Sequence, residues 1–180
     1  TGLVEAIGGG KNYKTGGYNY AVDAKVQPGS VIKPIIDYAP GIEYFGWDSQ
    51  TTFSDTPYKI EGTDFYIQNW DRAYHGTVSM EKALAWSYNI PAVRAFETVG
   101  YERSKFFSER MGIPVTKDEP TVAIGGNVDG VSPLQIAGAF ASFGNKGYYN
   151  KPSTIVKVFN ANGKELPSMK SESVKAMSEE

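Results

Sequence analysis

The sequence contains no cysteine and only one histidine, His75. The lack of cysteine excludes disulfides, thiol catalysis and cysteine-based metal sites. A single imidazole also argues against a histidine-rich metal site and against most Ser-His triads. We therefore expect neither a metal nor a cofactor.

Basic clusters and long apolar runs are lacking as well. The net charge is −2 and no basic run occurs, so nucleic-acid binding has no electrostatic basis. No apolar stretch reaches the roughly 18 residues that a membrane-spanning helix needs. The chain does have 180 residues, of which 41% are hydrophobic and 13% aromatic. That is enough for a core and for an aromatic cleft.

The pattern along the chain predicts helices in the middle and strands at both ends. Strands are expected over residues 1–7 and 155–159, a hairpin turn at Asn162-Gly163, and one long aromatic loop over 46–76. Helices are expected after Ser30, from Ser79, from Pro91, over 102–111 and from a capping box at Ser132. The chain begins directly on a strand pattern and stops without a helix-stop signal, so we expect an internal piece of a longer protein.

The first candidate motif is Ser30-Val31-Ile32-Lys33, an S-x-x-K pattern. On a helix, residues three apart face the same side, so a serine hydroxyl and a lysine amine can come within reach of each other. The lysine can take the serine proton only if its pKa falls. Ser79-Met80-Glu81-Lys82 also matches this short pattern, but Ser79 is adequately explained as a helix cap.

The second candidate motif is Ser87-Tyr88-Asn89, an S-x-N tripeptide between two predicted helices. Polar side chains at such a junction can project into a cleft. The alternative is a simple helix stop, because Ser and Asn are common there.

Taken together, the two motifs resemble class A penicillin-binding proteins, in which S-x-x-K is followed by an S-D-N-like element and K-T-G. The resemblance covers nearly the whole chain, with its landmarks in order. It rests on the segments Val26–Pro34, Gly76–Ser79, Ala83-Leu84, Ser87–Val93, Gly125-Gly126, Gly130–Leu134 and Phe140-Ala141.

This resemblance implies an α+β transpeptidase fold of the penicillin-binding and serine β-lactamase type, with a helical cluster and an antiparallel sheet. Ser30 would attack the carbonyl between two terminal D-alanines, and Lys33 would accept its proton. Ser87 would pass a proton toward the leaving amine, while Asn89 would hold a substrate amide or Lys33. The partners would be peptidoglycan stem peptides and β-lactams. The parent protein would be anchored on the outer face of the cytoplasmic membrane beside a glycosyltransferase domain.

The third motif of the family is not found after Asn89. Lys14-Thr15-Gly16 matches K-T-G in letters but lies upstream of Ser30 in a Gly-, Asn- and Tyr-rich loop, so we interpret it as coincidence. We therefore expect residues 1–180 to be part of a transpeptidase domain that ends before K-T-G.

Three further features leave alternatives open. Asn69 and Trp70 are candidate substrate-binding residues in the aromatic loop, which is either a substrate groove or a lid over the core. His75 is either catalytic or a loop hydrogen-bonder, and a lone His beside Gly76 favours the second interpretation. A β-lactamase or sensor of the same fold, or a non-catalytic cell-wall module, remains possible. However, Glu97, the first carboxylate after Asn89, has no E-x-x-L-N around it, which disfavours hydrolysis.

Overall fold

Two compact units make up the chain in a computed structural model that describes residues 2–126, 128, 130–166 and 172–179. One unit, here called the motif unit, comprises Gln27–Ser108 and Pro114–Asp129. The other, the terminal unit, is built from the residues up to Val26, Glu109–Ile113 and the residues from Gly130 onward. Both candidate motifs therefore lie in the motif unit.

Three helical segments of different pitch follow Pro28 without interruption. A 3-10 helix spans Gly29–Ile32, a π-helix spans Pro34–Tyr38, and α1 spans Ala39–Phe45. The predicted apolar positions Ile32, Ile35 and Ile36 are fully buried, and so are the charged residues Lys33 and Asp37. Charged side chains are almost never fully buried unless they have a partner, which marks this segment as unusual.

The region predicted as one long loop instead contains four short strands. β1 (Thr52–Asp55) pairs antiparallel with β4 (Gly76–Ser79), and β2 (Tyr58–Lys59) pairs antiparallel with β3 (Tyr66–Ile67). The prediction was wrong because two strands are only two residues long, too short to show alternation, while β1 buries a carboxylate, Asp55, where the pattern requires an apolar residue.

Three α-helices follow the strands. α2 spans Met80–Ala85, α3 spans Asn89–Val99 and α4 spans Tyr101–Arg110. Ser79 caps α2 as predicted, since its Oγ accepts a hydrogen bond from Lys82 N at 3.2 Å. α3 begins two residues before Pro91, which is tolerated because the first helical residues have no intrahelical partner for their N–H groups.

The core of the motif unit lies between this helical cluster and the β1–β4 pair. A 3-10 helix over Pro120–Ile124 also packs against α3. The buried cluster consists of Tyr38, Phe53, Val78, Met80, Ala83, Tyr88, Ala92 and Ala95, with Trp47 and Ile124 packed against it. Tyr88, the central residue of the S-x-N motif, is thus part of the core.

The terminal unit contains α5 (Pro133–Ala141) and an antiparallel pair of β5 (Tyr148–Asn150) and β6 (Ser173–Lys175). The predicted capping box at Ser132 is confirmed, with Ser132 Oγ accepting from Gln135 N at 3.2 Å. The strands predicted over 1–7 and 155–159 are not formed, because each makes only a single bridge within the described part of the chain. The hairpin turn at 162–163 is present, closed by Asn160 N donating to Lys164 O at 2.9 Å.

The described residues contain neither a candidate membrane-spanning helix nor a candidate metal-binding cluster. No helix there combines the length and the apolar character needed to cross a membrane. No group of three or more His, Cys, Asp or Glu side chains in the same residues is arranged to hold a metal ion.

Gly41 tests the packing of this core. A Cβ added there would collide with the Trp47 ring, whereas a Cβ at Gly8 would meet nothing. We expect Gly41→Ala to destabilise the fold by about 1–3 kcal/mol, because overpacking forces side chains off their rotamers. Gly8→Ala is the control, with an expected change within about 0.5 kcal/mol. Urea unfolding of both variants measures the difference, and equal midpoints would contradict this packing.

Candidate active site

Ser30 is an exposed residue at the start of the helical run. Gly29 before it has φ +59°, a left-handed conformation that favours glycine. Gly125 packs directly against the backbone of Gly29, since a Cβ added at position 125 would collide with Gly29 backbone atoms. This close approach fixes the turn that presents Ser30. It also gives a reason for glycine at position 125 that the sequence did not reveal.

Lys33 extends from the same segment and is fully buried. Its backbone N–H donates to Ser30 O, an i to i+3 contact of the 3-10 type, so the two residues lie on one side of the segment. Lys33 Nζ faces four oxygens of the S-x-N motif: Ser87 O at 2.7 Å, Asn89 Oδ1 at 2.8 Å, Ser87 Oγ at 3.1 Å and Tyr88 O at 3.2 Å. The two motifs, 54 residues apart in sequence, therefore converge on one amine.

The Ser30 side chain makes no hydrogen bond among the described residues, so the expected Ser30–Lys33 contact is not formed in this conformation. A buried amine must satisfy its donors, and the S-x-N oxygens are the groups that surround it. Catalytic hydrogen bonds are often long in the absence of substrate and tighten on binding. Lys33 nevertheless follows Ser30 by three residues, and its backbone N–H bonds the Ser30 carbonyl.

Burial lowers the pKa of Lys33 to about 8, because the charged form is disfavoured away from water. The Asp37 carboxylate, one helical turn further along, acts in the opposite direction and raises this pKa. Asp37 is itself fully buried, and neither of its oxygens has a hydrogen-bond partner among the described residues. Burial therefore raises the pKa of Asp37 well above its ordinary value, with Lys33 opposing the shift.

Ser87 ends α2 in a strained conformation. Its φ is +52°, in the left-handed region that non-glycine residues rarely adopt. Ser87 N donates to Leu84 O at 3.0 Å and Tyr88 N to Ala83 O at 2.9 Å. These two bonds form a Schellman motif with serine in the position usually held by glycine. The helix-stop interpretation therefore applies to Ser87, and its Oγ also faces Lys33 Nζ at 3.1 Å, while its catalytic role stays a prediction.

Asn89 is the first residue of α3, and both ends of its side-chain amide have protein partners. Its Oδ1 accepts from Lys33 Nζ, and its Nδ2 donates to Gln68 O at 2.7 Å. The Gln68 carbonyl therefore fixes the orientation of the amide, since only Oδ1 can then face the lysine. Of the two roles considered from the sequence, holding Lys33 is the one that this geometry favours.

Asn69 lies inside the protein and not on its surface. Its side chain is buried, its Nδ2 donates to Asp55 and to Ala73 O, and its Oδ1 accepts from Asn89 N at 2.8 Å. An amide with all of these partners inside the protein is poorly suited to contact a substrate. The expectation of substrate binding at Asn69 does not fit this geometry, and the sequence alone did not reveal that its loop folds inward.

Trp70, in contrast, is exposed and stacks on Trp86, with ring centroids 6.4 Å apart and an interplanar angle of 10°. Its Nε1 donates to Trp86 O at 2.8 Å. Because Trp86 immediately precedes Ser87, the pair forms an aromatic surface beside the S-x-N motif.

The remaining candidates take structural roles. His75 is a hydrogen-bonder, as expected, and its two ring nitrogens lie 2.6 Å from Asp55 Oδ2 and 3.1 Å from Asp71 Oδ2. Lys14 begins an exposed turn closed by Gly17 N donating to its carbonyl at 2.8 Å, in agreement with its interpretation as a loop. Glu97 accepts a hydrogen bond from the Tyr58 hydroxyl on β2.

Comparison with known proteins gives the family of this fold and site. The family model described as the penicillin-binding protein transpeptidase domain matches residues 1–178. Penicillin-binding protein 1A/1B of Bacillus subtilis is 45% identical over 92% of this chain, which spans 18% of that protein. Penicillin-binding protein 1A of Streptococcus oralis is 38% identical over 82% of the chain, which spans 24% of that protein. The chain thus corresponds to about a fifth to a quarter of the length of these relatives.

Solved structures agree in fold. The crystal structure of penicillin-binding protein 1A from Haemophilus influenzae superposes with a TM-score of 0.72 at 30% identity, covering 87% of this chain and 24% of that one. Penicillin-binding protein A from M. tuberculosis, in its penicillin G acyl-enzyme complex, superposes with a TM-score of 0.75 at 18% identity, covering 89% of this chain and 42% of that one. The expected α+β transpeptidase fold is confirmed, and the chain belongs to the penicillin-binding protein transpeptidase domain family, whose members are serine acyltransferases.

Proposed function

We propose that this chain supplies the nucleophile half of a peptidoglycan D,D-transpeptidase site that is acylated at Ser30 by D-Ala-D-Ala stem peptides and by β-lactams. The observation that carries the proposal is the convergence of the two motifs on Lys33 Nζ. This amine donates hydrogen bonds to Ser87 and Asn89, and Lys33 follows Ser30 by three residues. The pKa of about 8 that burial gives this lysine supports a catalytic role over a purely structural one. The penicillin G complex of the M. tuberculosis protein is consistent with β-lactam binding by this fold.

In the proposed reaction, Ser30 Oγ attacks the carbonyl carbon of the scissile D-Ala-D-Ala bond and loses its proton to neutral Lys33. The lowered pKa of Lys33 favours this role, because a base whose pKa is close to the working pH is about half in its neutral, proton-accepting form. Ser87 Oγ, 3.1 Å from Lys33 Nζ, can relay that proton to the leaving D-alanine amine. An amine from a second stem peptide then attacks the acyl-enzyme, forms the cross-link and releases Ser30.

The proposal also includes the rest of the site. We propose that the K-T-G strand is contributed by a segment outside residues 1–180, and that the parent protein acts outside the cytoplasmic membrane. Trp70 is proposed to contact substrate, because its stacked ring is exposed beside Ser87. A β-lactamase is not favoured, because Glu97, the first carboxylate after Asn89, has no E-x-x-L-N around it.

Replacing Ser30 tests the proposal directly. In a protein that carries this chain within its whole transpeptidase domain, Ser30→Ala should abolish covalent labelling by a fluorescent penicillin. Ser79→Ala is the matched control, because it removes the other S-x-x-K serine. It should keep labelling while losing about 1 kcal/mol of stability from its helix cap. Labelling of the Ser30 variant at the parent rate would refute the assignment.

Ser87 should show a trade-off between stability and activity. Ser87→Gly relieves the left-handed strain, so we expect it to be about 1 kcal/mol more stable than Ser87→Ala. Both variants lack the hydroxyl and should be acylated much more slowly than the parent. Thermal unfolding and labelling rates measure the two effects. Normal acylation of Ser87→Gly would leave the residue with a structural role only.

Acylation should depend on the protonation of Lys33. Because only the neutral amine accepts a proton and burial sets its pKa at about 8, the rate should rise with pH and level off above about 8. Asp37→Asn removes the carboxylate that raises this pKa, so the rising limb should move to lower pH. Labelling rates between pH 6 and 9 measure both curves. A flat profile for the parent would show that Lys33 is not the base.

A further inference from the structure

A buried polar cluster contacts the S-x-N motif from strands and loops that carry neither candidate motif. Its members are Asp55 at the end of β1, Asn69 after β3, and His75 immediately before β4. Asp55 is fully buried and Asn69 nearly so. Polar side chains in such positions need internal partners, and each one that is found constrains the groups it touches.

Asp55 organises this cluster. Its two oxygens accept from Asn69 Nδ2, each at 2.9 Å, while Oδ2 also accepts from His75 N at 3.0 Å and lies 2.6 Å from His75 Nδ1. The carboxylate therefore fixes the orientation of the Asn69 amide, since Nδ2 must point toward it and Oδ1 away from it.

Asn69 Oδ1 in turn caps α3. Tyr88, in the N-cap position of α3, provides no side-chain cap. The N–H groups of Asn89 and Ile90, at the start of α3, instead donate to Asn69 Oδ1 at 2.8 and 3.4 Å. The first N–H groups of a helix have no intrahelical acceptor, so this amide from a separate loop takes the place of a local cap.

His75 makes a second contact with the same motif. Its ring stacks on that of Tyr88, with centroids 4.2 Å apart and planes inclined by 16°. The carbonyl of Tyr88 is one of the four oxygens around Lys33 Nζ. The cluster thus touches both residues that follow Ser87 in the motif, while Ser87 itself is held at an unfavourable φ of +52°.

We infer that Asp55, Asn69 and His75 are positioning residues for acylation: they hold the Ser87–Asn89 turn in its strained form so that its oxygens stay directed at Lys33. This inference rests on the proposed function. Asn69 carries most of the effect, because it alone bonds the backbone of Asn89, and Asp55 acts through it. None of the three needs to touch the substrate.

Hydrogen exchange tests the cap separately from the chemistry. In a protein that carries this chain within its whole transpeptidase domain, Asn69→Ala should accelerate exchange of the Asn89 and Ile90 amides at least about tenfold, because their acceptor is lost. The amides of Ala95 and Phe96, inside α3, should not change. Unchanged exchange at Asn89 would overturn the inference whether or not the protein reacts with penicillin.

Labelling by fluorescent penicillin tests the positioning. Asn69→Ala should slow acylation about 10- to 100-fold, because displacing a reacting group by about 1 Å can cost about a hundredfold in rate. Val78→Ala is the control for general destabilisation, since Val78 is a buried β4 residue outside the polar cluster. It should slow acylation less than threefold at a temperature where both variants are folded. Faster amide exchange with unaltered acylation would overturn the positioning role.

A double-mutant cycle distinguishes one connected chain from separate structural contributions. Asp55→Asn keeps the shape of the side chain and should slow acylation less than Asn69→Ala does. The double variant should be no slower than Asn69→Ala alone, because Asp55 acts through the amide that is already lost. If the rate losses of the two single variants multiplied in the double variant, Asp55 would not act through Asn69. An unlabelled parent protein would refute the proposed function, while the exchange experiment would still report on the cap.

Discussion

The burial of the Lys33 amine is the constraint on which the site depends. An ammonium or amine without water needs oxygens around it, and this fold provides four from a single tripeptide turn. The same burial lowers the pKa of the lysine toward the range in which it can act as a base. One physical requirement therefore brings the second motif to the first and lowers the pKa of the amine, as the proposed proton transfer requires.

That arrangement has a structural cost. The turn that supplies the oxygens places Ser87 in a left-handed conformation, and it begins α3 without a local cap. Strained backbone persists only where its surroundings impose it. Here those surroundings are the Schellman bonds of α2, the core side chain of Tyr88, and the amide of Asn69. The long segment between the two motifs contributes to these surroundings through Asn69, whose amide accepts from the first N–H groups of α3.

Part of this organisation was predictable from the sequence. Helix starts at Ser79 and Ser132 follow from capping chemistry that is local to a few residues, and the resemblance of the motif segments pointed to Ser30, Lys33, Ser87 and Asn89. The inward position of Asn69 was not predictable, because it depends on pairing with Asp55 across 14 residues. Asp55 did leave a signal, since it follows the buried Phe53 by two residues and therefore lies on the same face of β1. The segments 1–7 and 155–159 have residues that favour strands, but neither forms a strand because neither pairs with an extended partner in the described structure.

Locating the penicillin adduct by peptide mass spectrometry tests the central claim most directly. The measurement uses a protein that carries this chain within its whole transpeptidase domain, labelled with penicillin and digested with trypsin. The account predicts one adduct on the peptide Val26–Lys59, with fragment ions that assign it to Ser30. An adduct on Ala73–Lys82, which holds Ser79, or on Ala83–Arg94, which holds Ser87, would contradict it.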